Sequence, residues 1–222
     1  MQFKVVEKFV SVNGEGNFAG KLAVFIRFAG CNLRCSYCDT MWANSSDVEY
    51  TLMTEQDIYE YIKSTKITHI TLTGGEPLIQ ENIRVLLELL ALDNSLSVEI
   101  ETNGSVDIQP FLDIKPKPPI FTMDYKLGSS NMQDKMLVEN FSHLKKIDVV
   151  KFVVGNFNDL EKFNLIIKKY GLAEKCNVHL SPIYGEISMA EIVDYMKEHL
   201  LNGVTFQPQL HKIIWHPSMR GV

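Results

Sequence analysis

Short apolar runs rich in β-branched and aromatic residues recur along the whole chain, and segments with helical periodicity lie between them. The runs that have the length and composition of strands are at positions 22–28, 69–73, 98–101, 120–123, 149–154, 178–180 and 204–206. Strands and helices that alternate in this way imply right-handed βαβ crossovers, because parallel strands can be joined only by a long connection over one face of the sheet. The pattern predicts an α/β fold with a mainly parallel sheet and helices on its outside.

Helix boundaries are marked by specific residues. Thr54 with Asp57, and Ser188 with Glu191, have the three-residue spacing of a capping box. A further helical pattern is predicted to stop at Gly171, because glycine readily adopts the left-handed conformation that ends many helices. These signals support helices between the predicted strands.

The length of the chain limits how far such a sheet can close. A complete eight-stranded β/α barrel takes about 250 residues, whereas this chain has 222. We therefore expect an incomplete parallel barrel of about six or seven strands, open at the C-terminal strand ends, where ligands bind in folds of this class. Three motifs follow the ends of the first three predicted strands, at positions 31–40, 74–77 and 102–104.

Composition excludes several classes of protein. A chain with 45% hydrophobic and 22% charged residues has the profile of a soluble globular domain, and no linker divides positions 1–222, so one domain is expected. A net charge of -5 gives no basic field for nucleic acid. No signal peptide and no apolar run of about 20 residues is found, so we expect a cytoplasmic protein without a membrane span.

Three of the four cysteines lie within eight positions. Cys31, Cys35 and Cys38 share one predicted loop (29–42), where thiolates can bind a soft metal and leave one ligand position open. Such clustering does not suit a disulfide framework and indicates a reducing compartment. Structural zinc is the simpler alternative, but it usually requires a second pair of ligands, and Cys176 lacks the usual spacing. Cys176 is expected to be buried.

The cysteine spacing, Tyr37 before the last cysteine, and Gly74-Gly75-Glu76-Pro77 after the second strand together resemble the radical S-adenosylmethionine superfamily. The resemblance implies a 4Fe–4S cluster on Cys31, Cys35 and Cys38. It also implies that S-adenosylmethionine binds the open iron and is cleaved to a 5′-deoxyadenosyl radical. The paired glycines would permit close approach of the backbone.

Further motifs resemble one family, the 7-carboxy-7-deazaguanine synthases. They are the segment 11–16 (Ser-Val-Asn-Gly-Glu-Gly), Arg27, Asp39-Thr40, and a closing tail at 208–222 that ends in Arg-Gly-Val. The resemblance extends from end to end. It implies conversion of 6-carboxy-5,6,7,8-tetrahydropterin to 7-carboxy-7-deazaguanine with loss of ammonia, an early step toward queuosine, with dependence on magnesium.

The resemblance also implies roles for individual residues. The residues expected to bind S-adenosylmethionine are Tyr37, Cys38, Asp39, Gly75, Glu76, Asn103, Asp124, Tyr125, Lys126, Ser181 and Pro182. The residues expected to bind the pterin are Val12, Asn13, Gly14, Glu15, Arg27, Thr73, His211 and Val222.

The assignments of Arg27 to the pterin and of Thr40 to magnesium each have a direct chemical reason. Arg27 offers a planar pair of donors to the substrate carboxylate, and Thr40 offers Mg²⁺ a hard oxygen ligand. The catalytic radical is expected to come from the cofactor, with no catalytic side chain beyond it.

Partners and alternatives follow from the same resemblance. We expect a homodimer, a small-molecule pterin substrate, and an electron donor such as flavodoxin or ferredoxin. A glycyl-radical-enzyme activase has the same cysteine spacing, but it gives no reason for the 208–222 tail. A zinc-bearing binding module, the alternative that is not an enzyme, gives no reason for the glycine-rich turn.

Overall fold

The computed structural model describes residues 2–222. Nine strands form one sheet. Their bounds are β1 (Phe3–Val12), β2 (Leu22–Phe28), β3 (Thr51–Met53), β4 (His69–Gly74), β5 (Ser97–Thr102), β6 (Ile120–Tyr125), β7 (Val149–Val154), β8 (Asn177–Pro182) and β9 (Val204–Phe206). The helices are α1 (Glu55–Thr65), α2 (Ile83–Ala91), α3 (Phe157–Tyr170), α4 (Leu172–Lys175), α5 (Met189–Glu198) and α6 (Leu210–Ile214).

The strand order is β3-β1-β2-β4-β5-β6-β7-β8-β9, and the sheet does not close on itself. Strands β2 and β4 to β9 are parallel, each paired with the next. These are the seven predicted strands, so the expected α/β class and open parallel barrel are confirmed. Sequence reasoning missed β1 and β3, which pair antiparallel and extend the sheet beyond β2.

The predicted helix signals are confirmed. The Thr54 hydroxyl accepts from the Asp57 N–H at 3.1 Å, and the Asp57 carboxylate accepts from the Thr54 N–H at 2.8 Å. Ser188 and Glu191 form the equivalent box at α5. Gly171 ends α3 with φ of 60°. No helix within residues 2–222 is long and apolar enough to cross a membrane.

The parallel strands have two different faces. The outward residues pack with the helices into one apolar core, which in β6 and β7 includes Met123, Tyr125 and Phe152. The alternate, inward residues are mainly polar, and Asp124 and Lys151 are among them. Because successive side chains of a strand point to opposite faces, the barrel has a polar interior that opens at its C-terminal end.

Candidate active site

A cavity of about 440 Å³ lies at the C-terminal strand ends. It is lined by the cysteine loop, the inward strand residues and the last residues of the chain. The predicted site residues that line it are Val12, Gly14, Glu15, Arg27, Cys35, Tyr37, Cys38, Asp39, Thr40, Thr73, Gly75, Asn103, Asp124, Lys126, His211 and Val222. The motifs that are separate in sequence thus meet in one place.

The cysteine loop presents three thiols to this end of the barrel. The Cys31 sulfur accepts from the Leu33 N–H at 3.3 Å and from the Asn103 side-chain amide at 3.5 Å. Burial raises the pKa of the Cys35 thiol to about 11. Within residues 2–222, no three His, Cys, Asp or Glu side chains are grouped to hold a single metal ion. Three thiols on one loop are a donor set for an iron–sulfur cluster.

The glycine-rich turn after β4 packs directly on this loop. The Gly75 N–H donates to the Phe28 carbonyl at 3.0 Å, and the Glu76 N–H donates to the Gly30 carbonyl at 2.8 Å. A Cβ atom at Gly75 would lie 1.9 Å from the Gly30 carbonyl oxygen, so no other residue fits without movement. Glycine is therefore required at position 75 because the turn lies against the backbone of Gly30, which precedes Cys31.

Glu76 supports the turn from behind the cavity rather than lining it. Its fully buried carboxylate accepts from the N–H groups of Leu78 at 2.9 Å and Asn103 at 2.7 Å, and from the Thr102 hydroxyl at 2.9 Å. Burial raises the pKa of the Glu76 carboxyl to about 7. Because these bonds join the ends of β4 and β5, Glu76 sets the position of Asn103 beside Cys31.

Four charged side chains form a buried network on one wall of the cavity. Lys151 contacts Glu15 and lies 3.3 Å from the Asp124 carboxylate, and Lys126 lies 2.8 Å from the same Asp124 oxygen. The Lys126 ammonium also lies 5.5 Å from the centre of the Tyr37 ring. Paired charges of this kind are the form in which ionised groups are tolerated in an interior.

Two polar atoms on the same wall have no partner. The Tyr37 hydroxyl and the Asp124 Oδ1 atom are buried, and neither has a hydrogen-bond partner among residues 2–222. Buried polar groups are nearly always satisfied in native proteins. The Tyr37 hydroxyl as a donor and the Asp124 Oδ1 atom as an acceptor are therefore available beside the cysteine loop to a polar ligand such as S-adenosylmethionine.

The wall formed by β1, β2 and β5 carries one basic side chain and two acidic ones. The Arg27 Nε donates to a Glu7 oxygen at 3.0 Å, which fixes the guanidinium at the cavity. Burial, and the nearby Glu15 carboxylate, raise the pKa of the Glu101 carboxyl, which the Thr73 hydroxyl contacts. Arg27 and Glu101 thus line the same wall of the cavity.

The C-terminal segment 208–222 covers the cavity mouth and contacts the cysteine loop. Lys212 forms an ion pair with Asp39 at 3.1 Å, and the Arg220 guanidinium lies 4.1 Å from the centre of the Trp42 ring. Burial opposes ionisation of Asp39, but Lys212 outweighs it and lowers the Asp39 pKa to about 2. Val222 itself lines the cavity.

The same segment also contacts the turn after β1. The Leu210 N–H donates to the Gly14 carbonyl at 3.2 Å, and the Gln209 side-chain amide donates to Glu15. A Cβ atom at Gly14 would lie 2.9 Å from the His211 Nδ1 atom. Burial lowers the pKa of His211, which favours its neutral form.

The side chains of several predicted site residues lie away from the cavity. The Asn13 amide donates to Glu99 at 2.8 Å and to Thr71 at 3.2 Å, inside the barrel. Tyr125 points outward into the apolar core, because strand alternation places it opposite Asp124. The buried Ser181 hydroxyl donates to the Gln207 carbonyl at 2.6 Å. Neither Pro182 nor Cys31 is among the residues that line the cavity.

The structure also brings in residues that sequence reasoning missed. Lys151, Gln209 and Lys212 line the cavity through contacts with residues far away in the sequence. Lys151 has a sequence signal, since it is the only charged residue in the otherwise apolar strand β7. Gln209 and Lys212 lie in the closing tail at 208–222 that resembles the family, but nothing in the tail's sequence singles out either side chain.

Comparisons with known proteins identify relatives of this chain. The radical SAM superfamily model matches residues 25–118. The chain is 58% identical to the 7-carboxy-7-deazaguanine synthase of Clostridium acetobutylicum over 222 residues, 100% of both chains. It is 33% identical to the synthase of Leptospira interrogans, over 100% of this chain and 99% of the relative. It is 36% identical to the synthase of Methanospirillum hungatei, over 96% of this chain and 86% of the relative.

A solved structure agrees with the fold. The crystal structure of QueE from Escherichia coli matches with a TM-score of 0.73 and 23% identity, over 94% of each chain. The sequence relatives agree with the end-to-end resemblance of the motifs. The chain belongs to the 7-carboxy-7-deazaguanine synthase family of the radical SAM superfamily.

Proposed function

We propose that this protein converts 6-carboxy-5,6,7,8-tetrahydropterin to 7-carboxy-7-deazaguanine with loss of ammonia, in queuosine and 7-deazapurine biosynthesis. The observation that carries the proposal is one cavity shared by the cysteine loop, the charged strand ends and the chain terminus. The relative that is 58% identical over its full length is named for this product.

In this proposal Cys31, Cys35 and Cys38 hold the 4Fe–4S cluster. S-adenosylmethionine takes the adjoining wall, where the open hydroxyl of Tyr37 and the open oxygen of Asp124 support polar contacts. Lys126 adds a positive charge beside the thiols and suits a carboxylate ligand. When bound there, the cluster and S-adenosylmethionine would supply the radical chemistry for removal of hydrogen from C6 of the pterin. The remaining proposed contacts are Cys38, Asp39, Gly75 and Asn103.

The pterin occupies the wall of β1, β2 and the C-terminal segment. Arg27 binds the substrate carboxylate through charge-assisted hydrogen bonds. The carboxylates of Glu15 and of the Val222 terminus accept hydrogen bonds from the amino and ring N–H groups, because a carboxylate matches such an edge with two acceptors. Other proposed contacts are made by Val12, Gly14, Thr73 and His211.

Magnesium is proposed to bind at Thr40. The Thr40 hydroxyl donates to Asp39 at 3.0 Å, so its proton is committed and its lone pairs are available to a cation. The substrate carboxylate and water would complete an oxygen shell of the kind Mg²⁺ prefers. Titration of magnesium tests this assignment: an undiminished stimulation of the Thr40→Ala variant would remove Thr40 from the metal site.

Partners are proposed from the family. The protein is expected to act in the cytoplasm as a homodimer reduced by a flavodoxin or a ferredoxin, without nucleic acid or membrane partners. Sedimentation velocity of the reconstituted protein tests the dimer, which a monomer at micromolar concentration would contradict. The glycyl-radical-enzyme activase and the zinc-bearing module are not favoured by the relatives found.

The proposed reaction is tested by anaerobic incubation of the reconstituted protein with dithionite, S-adenosylmethionine and the carboxypterin, followed by mass analysis. The expected products are 7-carboxy-7-deazaguanine and ammonia. Protein with full iron and sulfide content that cleaves S-adenosylmethionine but leaves the pterin unchanged would contradict the assignment.

A further inference from the structure

Lys151 is a buried cation placed between two carboxylates that belong to different parts of the chain. Its side chain is 9% exposed, and its ammonium contacts Glu15 from the turn after β1 and Asp124 from β6. Strand β7 is otherwise formed of Val and Phe. A lysine in such a strand carries a large desolvation cost unless it is paired, so its position requires both carboxylates.

The two carboxylates do not depend on Lys151 equally. Asp124 has a second cation, because Lys126 lies 2.8 Å from the same oxygen. Glu15 has the neutral amide of Gln209 at its other oxygen, and within residues 2–222 its ion pair is with Lys151. Loss of the Lys151 charge therefore leaves Asp124 paired and Glu15 buried without a counter-ion.

The surrounding ionisable groups make Glu15 depend more strongly on the charge of Lys151. The ionisable groups that act on the Glu15–Lys151 pair come from every element around it: Glu99 and Glu101 (β5), Asp124 and Lys126 (β6), His179 (β8), His211 (α6) and Tyr37 (the cysteine loop). Burial alone would raise the pKa of Glu15, but Lys151 outweighs burial and holds that pKa below its ordinary value.

We infer that Lys151 is a positioning residue: it keeps Glu15 ionised and fixed on the substrate side of the cavity, with Asp124 as the anchor on the cofactor side. The part of this inference that concerns substrate rests on the proposed function. The part that concerns the Lys151–Glu15 pair does not, and the two parts can be measured separately.

The pair is tested without substrate by thermal unfolding of the reconstituted protein at pH 5 to 8. In wild type the lowered pKa of Glu15 adds stability above the ordinary value of 4.5, and this stability is lost only as pH falls through the folded-state pKa. In Lys151→Met the sign reverses, because burial then raises the Glu15 pKa and stability falls as pH rises. The Tm of Lys151→Met should fall below wild type by roughly 5 to 10 °C more at pH 8 than at pH 5.

Two further variants identify the cause. Adding Glu15→Gln to Lys151→Met should remove the extra pH dependence, because the unpaired carboxylate is gone, and it should recover folding if the single variant is too unstable. Lys151→Arg keeps the charge and should follow wild type. Lys63→Met is the matched control, since it breaks an exposed Lys63–Asp93 ion pair of 2.7 Å far from the cavity.

Substrate positioning is tested by steady-state kinetics of the same proteins at pH 6.5 and pH 9. Lys151→Met should raise the pterin KM by about tenfold or more at pH 6.5 and by only about threefold at pH 9, where Glu15 ionises again. Cleavage of S-adenosylmethionine without pterin should fall by a smaller factor than kcat/KM for the pterin, because Asp124 keeps Lys126 as a counter-ion.

Each unfavourable result has a distinct meaning. A Tm deficit of Lys151→Met that is the same at every pH, or that Glu15→Gln does not relieve, would overturn the inference and leave Lys151 with a packing role. A rise in the pterin KM of Lys151→Met that is the same at pH 6.5 and pH 9 would overturn the role of Lys151 in positioning the substrate. If wild type shows the expected unfolding behaviour but does not convert the carboxypterin, the proposed function fails and the Lys151–Glu15 pair stands.

Discussion

The two faces of the central strands differ in chemistry, although their residues alternate along the same short segments. In β7, Val150 and Phe152 point outward into the apolar core, whereas Lys151 points inward to an ion-pair network. In β6, Tyr125 points outward and Asp124 inward in the same way. Of two neighbouring residues in one strand, the outward one thus packs in the core and the inward one lines the site.

This difference shows how an open barrel can carry an active site without losing stability. The outward face is stabilised by buried apolar area, and it tolerates exchanges between apolar residues of similar volume. The inward face contains groups that each require a specific partner, because an unpaired buried polar group is costly. We therefore expect changes on the outward face to alter only the free energy of unfolding. Changes on the inward face should alter cofactor and substrate chemistry, and also stability where they leave a buried charge without its partner.

The largest expected difference in cluster content and activity is between a variant of the cysteine loop and a variant of Cys176. Cys35→Ala removes a proposed cluster ligand at the open end of the barrel and should abolish cleavage of S-adenosylmethionine. Cys176→Ala changes a buried residue of the apolar core and should leave iron content and cleavage intact. Iron and sulfide analysis with a cleavage assay checks both. Loss of the cluster from folded Cys176→Ala would show that the ligands are misassigned.

Phe152→Ala tests the outward face alone. Phe152 is fully buried and packs against Phe163 with ring centres 5.0 Å apart. Its truncation should lower the free energy of unfolding by about 3–5 kcal/mol, while the pterin KM of the folded fraction stays near wild type. Chemical denaturation measures the first quantity. Leu165→Ala, at a side chain 64% exposed, is the control and should change little. A large rise in KM for Phe152→Ala would break the separation of the faces.

Extension of the C-terminus tests whether the chain end belongs to the inward site. Residues added after Val222 move the terminal carboxylate and obstruct the mouth that the segment 208–222 covers. We expect kcat/KM for the pterin to fall by about 30-fold or more, which corresponds to roughly 2 kcal/mol of lost binding. The same residues added at the N-terminus are the control. Equal kcat/KM in both proteins, at equal cluster content, would remove the tail from the site.

Arg27→Ala should have the smallest effect of the set. Loss of the charged hydrogen bonds to the substrate carboxylate is expected to reduce kcat/KM by about tenfold, or roughly 1.5 kcal/mol, mainly through KM. Arg84→Ala is the matched control, because Arg84 forms exposed ion pairs with Glu88 and Asp113 on the outside of the barrel. A wild-type KM in Arg27→Ala would assign the carboxylate to another cation.

The seven parallel strands and the α/β class were largely predictable from the sequence, because short apolar runs report burial directly. The missed strands have weaker signals: β3 has three residues, and β1 carries charged residues at Lys4, Glu7 and Lys8. The pairing of β3 is with β1, which lies beyond β2 and the cysteine loop in the sequence, and local patterns do not encode such a contact.

The inward face was predictable only where a motif marks it. The cysteine loop, Gly75 and the closing tail are found from motifs, whereas the contact of Gln209 with Glu15 spans 194 positions and is not encoded locally. Tyr125 was assigned to the site because its segment resembles one in the family, and the alternation of the strand points its side chain outward.

Cofactor and pterin are proposed to share one cavity at the open end of the barrel. This arrangement is tested most directly by incubating the reduced, reconstituted enzyme with S-adenosylmethionine and carboxypterin that carries deuterium at C6. We expect deuterium to appear in the 5′-deoxyadenosine, together with formation of 7-carboxy-7-deazaguanine. Formation of that product with only unlabelled 5′-deoxyadenosine would contradict it.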